Sequence, residues 1–193
     1  VSRCLAPSCE WAAQEGPFCE LHAKAPPGQR GGWASAAKRK PYDASAIAPR
    51  LWIGGAPPFD RDLPQVDLLV LCAAELQPER LAFHGTVLRC PIPDDALDPA
   101  ELKLVMQTSV AVGKTVVQGK RALVTCQMGL NRSALVVALA LHQLTTMSGE
   151  QIVSHIRKHR SEKALCNPWF VKKICEIVGD GRPKVRRSSA PTS

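Results

Sequence analysis

The 193-residue chain is poor in aromatic side chains, with one tyrosine, four phenylalanines and four tryptophans, 5% in all. They form no pattern of stacking platforms, which argues against a dedicated nucleic-acid module. No apolar run is long enough to cross a bilayer, and the opening residues VSRCLAPSCE lack the apolar region of a secretory leader. No internal repeat is visible. The chain therefore reads as a soluble, cytoplasmic protein with no membrane partner.

What is present suits one ordinary globular domain with additions, at 45% hydrophobic and 22% charged residues. The net charge of +8 is unevenly placed. Arg182, Lys184, Arg186 and Arg187 lie in a C-terminal tail, and Lys38, Arg39 and Lys40 cluster further upstream. Solvated ends are the simpler reading of both. Contact with nucleic acid or phosphorylated surfaces is the sharper one, and it is not favoured.

Residues 1–25 hold three of the eight cysteines and little periodicity. Residues 26–45, rich in Pro, Gly and basic side chains, read as a linker. Regular patterning begins near residue 46 and ends near 178, and residues 179–193 read as a basic flexible tail. IAPRLWIGG has the pattern of a strand ending in a Gly-Gly turn, VDLLVLCAA that of a buried strand, and GTVLRCPIP that of a shorter strand broken by Pro91 and Pro93. A helix is expected over Ala100 to Gln118, with Asp98 as N-cap beside Pro99. RALVTC predicts a fourth strand and NRSALVVALALHQLTT a buried helix. Ser148 caps another expected helix, and Asn167-Pro168 starts the last. Strands interleaved with helices predict an α/β layer fold with a mainly parallel sheet flanked by helices.

The segment CQMGLNRS, residues 126–133, lies between an apolar strand and an apolar helix. A strand–loop–helix turn gathers backbone N–H groups into one concavity, and the helix N-terminus adds positive potential. Such a nest suits a tetrahedral oxyanion, and the same donors favour a thiolate at its mouth. Cys126 is thereby placed as a nucleophile toward phosphorus. Arg132 offers a planar fork for two phosphoryl oxygens and can follow their charge into the transition state. Gly129 permits the tight backbone path, and Asn131 tolerates left-handed dihedrals. Ser133 can donate a hydrogen bond to Cys126. Gln127, Met128 and Leu130 complete the phosphate-binding loop.

CQMGLNRS resembles the Cys-x5-Arg-Ser/Thr signature of the cysteine-dependent protein phosphatases, most nearly the small, bacterial-type dual-specificity group. The resemblance spans about residues 46–178 and includes LWIGGAPP, CPIPDD and IRKHRSEKALCNPWF. It implies a cysteinyl-phosphate intermediate at Cys126 and hydrolysis of phosphotyrosine, phosphoserine or phosphothreonine in a protein substrate. It also implies an aspartic acid that protonates the leaving oxygen and then activates water, with no metal needed. Asp94, directly after Ile92-Pro93, is the chosen acid, and Asp95 stays open. Thr125 stands where the family usually carries a histidine that tunes the thiolate. Two alternatives are an RNA 5′-triphosphatase-like enzyme, from GLNRS and the basic charge, and a phosphate-binding pseudophosphatase. The loop's variable positions carry no base, which argues against phosphoinositides.

CLAPSCEWAAQEGPFCELH sets Cys4, Cys9, Cys19 and His22 in a Cys-x4-Cys-x9-Cys-x2-His pattern. Three thiolates and an imidazole suit tetrahedral Zn2+ in a closed structural site, and so short a segment needs the metal to fold. The pattern resembles small bacterial zinc-knuckle modules. Cys72, ending LLVLC, is expected near Cys126 at one sheet edge. A small buried strand residue is the simpler reading. In some relatives a cysteine at a similar place forms a reversible disulfide with the nucleophile.

Overall fold

The computed structural model describes residues 42–57, 65–79, 81 and 83–180. Five strands, β1 (Ala44–Ala48), β2 (Leu51–Gly54), β3 (Leu68–Ala73), β4 (Thr86–Ile92) and β5 (Ala122–Thr125), form one sheet in the order β1-β2-β5-β3-β4. Only the β1–β2 pair is antiparallel; β2–β5, β5–β3 and β3–β4 are parallel. Four helices complete the described unit: α1 (Pro99–Val117), α2 (Arg132–Leu144), α3 (Gly149–His159) and α4 (Pro168–Val178).

Side-chain alternation along the strands divides the core. Ile53, Val70, Val124 and Cys126 share one cluster with the buried residues of all four helices. Leu69, Leu71 and Leu123 point to the other face, under Trp52, Phe83 and Val87. Every residue of β5 is buried, as are Arg132 through Leu141 of α2. Each aliphatic side chain so enclosed contributes roughly 1.5–3 kcal/mol. The loop that joins β5 to α2 is thus strung between two deeply anchored elements.

Helix starts follow local chemistry. Asp98 accepts hydrogen bonds from the N–H groups of Ala100 and Glu101, and the Glu101 carboxylate in turn accepts one from Asp98 N–H. Ser148 and Gln151 make the same reciprocal box at α3. The Asn167 side chain accepts from Trp169 N–H at α4.

Three expectations need correction. IAPRLWIGG is not one strand: the chain turns at Pro49-Arg50, where Arg50 has a φ of 64°, and β1 pairs back on β2. The GTVLRCPIP strand is not broken at Pro91 but runs through it to Ile92. A residue without an N–H is tolerated there because β4 is an edge strand. Residues 42–45 belong to the sheet and its margin rather than to a linker, since the compact unit begins at Tyr42. Cys4, Cys9, Cys19, His22 and the basic tail from Arg182 lie outside the described residues. No described helix is long and apolar enough to cross a membrane.

Candidate active site

β5 ends at Thr125 in the middle of the sheet, with its parallel neighbours β2 and β3 ending beside it. Ligands in open α/β sheets are held at such carboxyl edges, where strand order reverses. Cys126 is the first residue past this edge, and α2 begins six residues later at Arg132.

The carbonyl groups of residues 127–131 are all engaged. Gln127 O accepts from Ala56 N–H at 3.0 Å, and Leu130 O from Leu165 N–H at 2.9 Å. Arg160 donates from Nη2 to Met128 O and from Nε to Gly129 O, both at 3.0 Å. Asn131 O accepts from Leu135 N–H inside α2. In a trans peptide the C=O of one residue and the N–H of the next point opposite ways. Tying five successive carbonyls to the scaffold therefore turns the N–H groups of residues 128–132 to the other side. Among the described residues, no protein acceptor is paired with those groups. The loop thus has the backbone geometry expected of the anion nest that the strand–loop–helix pattern implies.

Gly129 is the hinge of this arrangement. Its φ is 67°, and a Cβ there would lie 2.6 Å from the Gly54 carbonyl and 2.7 Å from Arg160 Nη2. Gly129→Ala is expected to cost at least about 1–3 kcal/mol from the backbone conformation alone, and to weaken phosphate competition. Thermal unfolding together with phosphate inhibition of the variant measures both effects; an unchanged inhibition constant counts against the nest.

Cys126 is 4% exposed, and its Sγ lies 3.3 Å from Ser133 Oγ, which sits in the first turn of α2. Ser133 is thus where a hydroxyl can donate to the sulfur. Thr125 is turned away: its Oγ1 donates to Val70 O on β3 at 2.9 Å. The threonine consequently supports the strand, and its hydroxyl is committed elsewhere.

Arg132 differs from expectation in one respect. Its Nη1 and Nη2 do not present an open fork, because they donate to the two oxygens of Glu75 at 2.5 and 2.8 Å. The Arg132 side chain is 5% exposed and that of Glu75 48%. Among the described residues, buried Arg132 Nε has no hydrogen-bond partner. A guanidinium has five N–H donors, and the edge formed by Nε and the remaining Nη2 proton is still a bidentate face. The hydrogen bonds from Arg132 hold the Glu75 carboxyl below the usual carboxylate range. Glu75 therefore fixes the guanidinium by its terminal nitrogens and leaves the Nε edge unengaged by the described residues.

Asp94 and Asp95 lie in the turn between β4 and α1, as required of an acid-bearing loop, but only one reaches the nest. Asp94 Oδ2 accepts from Asn131 Nδ2 at 3.2 Å, whereas Asp95 Oδ1 accepts from Ala96 N–H in its own turn at 2.7 Å. Asn131 itself is not left-handed, with φ −110° and ψ −72°. Gln127 and Met128 are exposed at the rim, and Leu130 is half-buried.

Cys72 falls where it was expected. The register pairs Leu71 with Thr125, so Cys72 and Cys126 follow side by side, and both line one small pocket with Leu76 and Pro57. Burial pushes the Cys72 thiol well above its ordinary range. All five cysteines of the described residues are free thiols.

Sequence reasoning missed Glu75 and Arg160. The Arg160 guanidinium also bonds both Asp43 oxygens at 2.6 Å, which lowers the Asp43 pKa. Beside it, the Tyr42 hydroxyl donates to Gly55 O at 2.6 Å, and its pKa is raised, chiefly by burial. The signal available for Arg160 was its place in the basic run IRKHR; Glu75 had none beyond following β3.

No protein-family model matches the chain, and no curated protein matches it in sequence. Solved structures do. Human DUSP28 is similar at 23% identity and a TM-score of 0.60, over 72% of this chain and 96% of that one. DUSP15 is similar at 22% identity and 0.61, over 72% and 88%. A human tyrosine phosphatase-like serine/threonine/tyrosine-interacting protein is similar at 17% identity and 0.61, over 70% and 95%. The fold is that of the dual-specificity phosphatases.

Proposed function

We propose that the chain is a cysteine-dependent phosphatase of the dual-specificity type, hydrolysing phosphotyrosine or phosphoserine/threonine esters in a protein substrate. The observation that carries this reading is the buried Cys126 sulfur next to Ser133, in a loop whose carbonyls are tied outward and whose arginine keeps an unpartnered Nε. A phosphoryl group settled there would receive the loop N–H groups and the side edge of Arg132, donors placed for the charge that develops in transfer. Cys126 Sγ forms the S–P bond while the P–O bond to the leaving group breaks, and Asp94 delivers the proton. Water then attacks phosphorus, the S–P bond breaks, and the Asp94 carboxylate takes the water's proton.

The contact between Asp94 and the loop favours phosphoester hydrolysis over 5′-triphosphate hydrolysis, where a phosphate leaving group needs little protonation. Asp94→Ala is expected to lower kcat on phenyl phosphate, whose leaving oxygen needs a proton, by on the order of 10²–10⁴. Asp95→Ala should stay within a few-fold of the unsubstituted chain, since its carboxylate is engaged in its own turn. The direct test of the mechanism is acid quenching during turnover of p-nitrophenyl phosphate, followed by peptide mass analysis. One phosphoryl group on the Cys126 peptide supports the proposal; turnover without it refutes the covalent route.

The small bacterial-type assignment and the Zn2+ site remain part of this proposal. Cys4, Cys9, Cys19 and His22 fill four ligand positions, a donor set suited to structural zinc. One equivalent of zinc by elemental analysis, lost in Cys9→Ala without loss of p-nitrophenyl phosphate turnover, is the expected result.

A further inference from the structure

The Asn131 side chain stands at the junction of three segments and is not explained by backbone geometry. Its Oδ1 accepts from Asn167 N–H at 3.3 Å and from the Cys166 thiol at 3.4 Å. A backbone N–H can only donate, so the amide orientation is fixed: oxygen toward Asn167, nitrogen toward Asp94. Nδ2 then donates to Asp94 Oδ2 at 3.2 Å and lies 3.3 Å from Cys166 Sγ.

The platform beneath this amide is itself well held. Arg157 donates from Nε to Ala164 O and from Nη2 to Leu165 O, each at 3.1 Å. Leu165 N–H bonds the loop at Leu130 O, and Asn167 caps α4. Asp94, by contrast, sits in an exposed turn.

From these contacts, and resting on the phosphatase reading above, we infer that Asn131 is a positioning residue for the general acid. The C=O oxygen of a neutral carboxyl is its better acceptor, so a donor on Oδ2 favours the carboxyl proton on Oδ1. The same oxygen then receives the water's proton in the second step, while the hydrogen bond from Asn131 persists. Asn131 thus selects which Asp94 oxygen faces the chemistry and restrains the carboxyl against the phosphate loop. It accounts for an asparagine at a loop position whose negative φ does not call for one.

An acid-positioning role is separable from damage to the loop because it depends on the leaving group. Phenyl phosphate needs its leaving oxygen protonated; dinitrophenyl phosphate scarcely does. Asn131→Ala is expected to lower kcat/KM on phenyl phosphate by about 10-fold or more, and on dinitrophenyl phosphate by less than about 3-fold. Asn131→Asp keeps the shape and the acceptor for Asn167 N–H but replaces the donor by a charge that lowers the rates on both substrates, so its readout is the ratio of the two losses, again larger for phenyl phosphate, even if the alanine variant folds poorly. In an Asp94→Ala background, Asn131→Ala should add no leaving-group-dependent loss. Equal losses on both substrates, no loss, or a full additional loss in the Asp94→Ala background would overturn the inference alone. Absence of any turnover by the unsubstituted chain overturns the phosphatase reading and this inference with it.

Discussion

Cys126→Ser is expected to abolish turnover of p-nitrophenyl phosphate, by on the order of a thousandfold or more, while the chain stays folded and still binds inorganic phosphate. The exchange replaces one sulfur by one oxygen at a residue 4% exposed, so neither packing nor volume changes much. The carbonyl anchors of the loop are backbone N–H groups and the Arg160 guanidinium; none involves the Cys126 side chain, so they survive the exchange, as does the Arg132–Glu75 pair. What is lost is the sulfur nucleophile; a serine hydroxyl needs an adjacent base, and Ser133 is not one. Steady-state rates, phosphate competition and thermal unfolding of the two proteins decide the matter. A variant that keeps a tenth of the activity would place the nucleophile elsewhere. One that loses phosphate binding along with turnover would mean that the sulfur, rather than the amide nest, holds the anion.

The parts of this site that the sequence displays are those built from neighbours along the chain. Cys126, Gly129, Arg132 and Ser133 lie within one turn of loop and helix, and the apolar runs on either side mark the strand and helix that hold them. Caps are equally local, which is why Asp98, Ser148 and Asn167 start helices where their side chains suggest. Strand β1 was hidden because ASAIA carries no strong alternation, and its identity depends on pairing with β2. Glu75 lies 57 positions from Arg132, and Asp43 lies 117 from Arg160. No periodicity encodes such partners; they become neighbours only when β3 and β1 take their places in the sheet. Asn131 is a milder case. Its residue type was noticed, but the backbone explanation offered for it was the wrong one, since the reason lies in Asp94 and Asn167.

The contact between Arg132 and Glu75 turns a general statement about positive charge into a sharper one. Arg132→Lys keeps the charge at the head of α2, so an account based on charge alone anticipates a small loss. The geometry anticipates a large one. The guanidinium satisfies both Glu75 oxygens with one edge and leaves Nε and a second Nη2 proton on another. A lysine has a single nitrogen and cannot serve two directions with fixed, coplanar donors. Its ammonium is drawn to the Glu75 carboxylate, and the phosphoryl oxygens lose the side-on pair as they pass into the transition state. Loss of one such preorganised donor is worth about 10²–10³ in kcat. The fall should appear mainly in kcat, with phosphate inhibition weakened less, because the loop N–H groups still bind the ground-state anion. Glu75→Gln supplies the companion measurement. It retains one acceptor for Arg132 and loses the other, so its activity should lie between those of the unsubstituted chain and Arg132→Lys. If Arg132→Lys turns over p-nitrophenyl phosphate within a few-fold of the unsubstituted chain, the planar side edge is not what stabilises the transferring phosphoryl group.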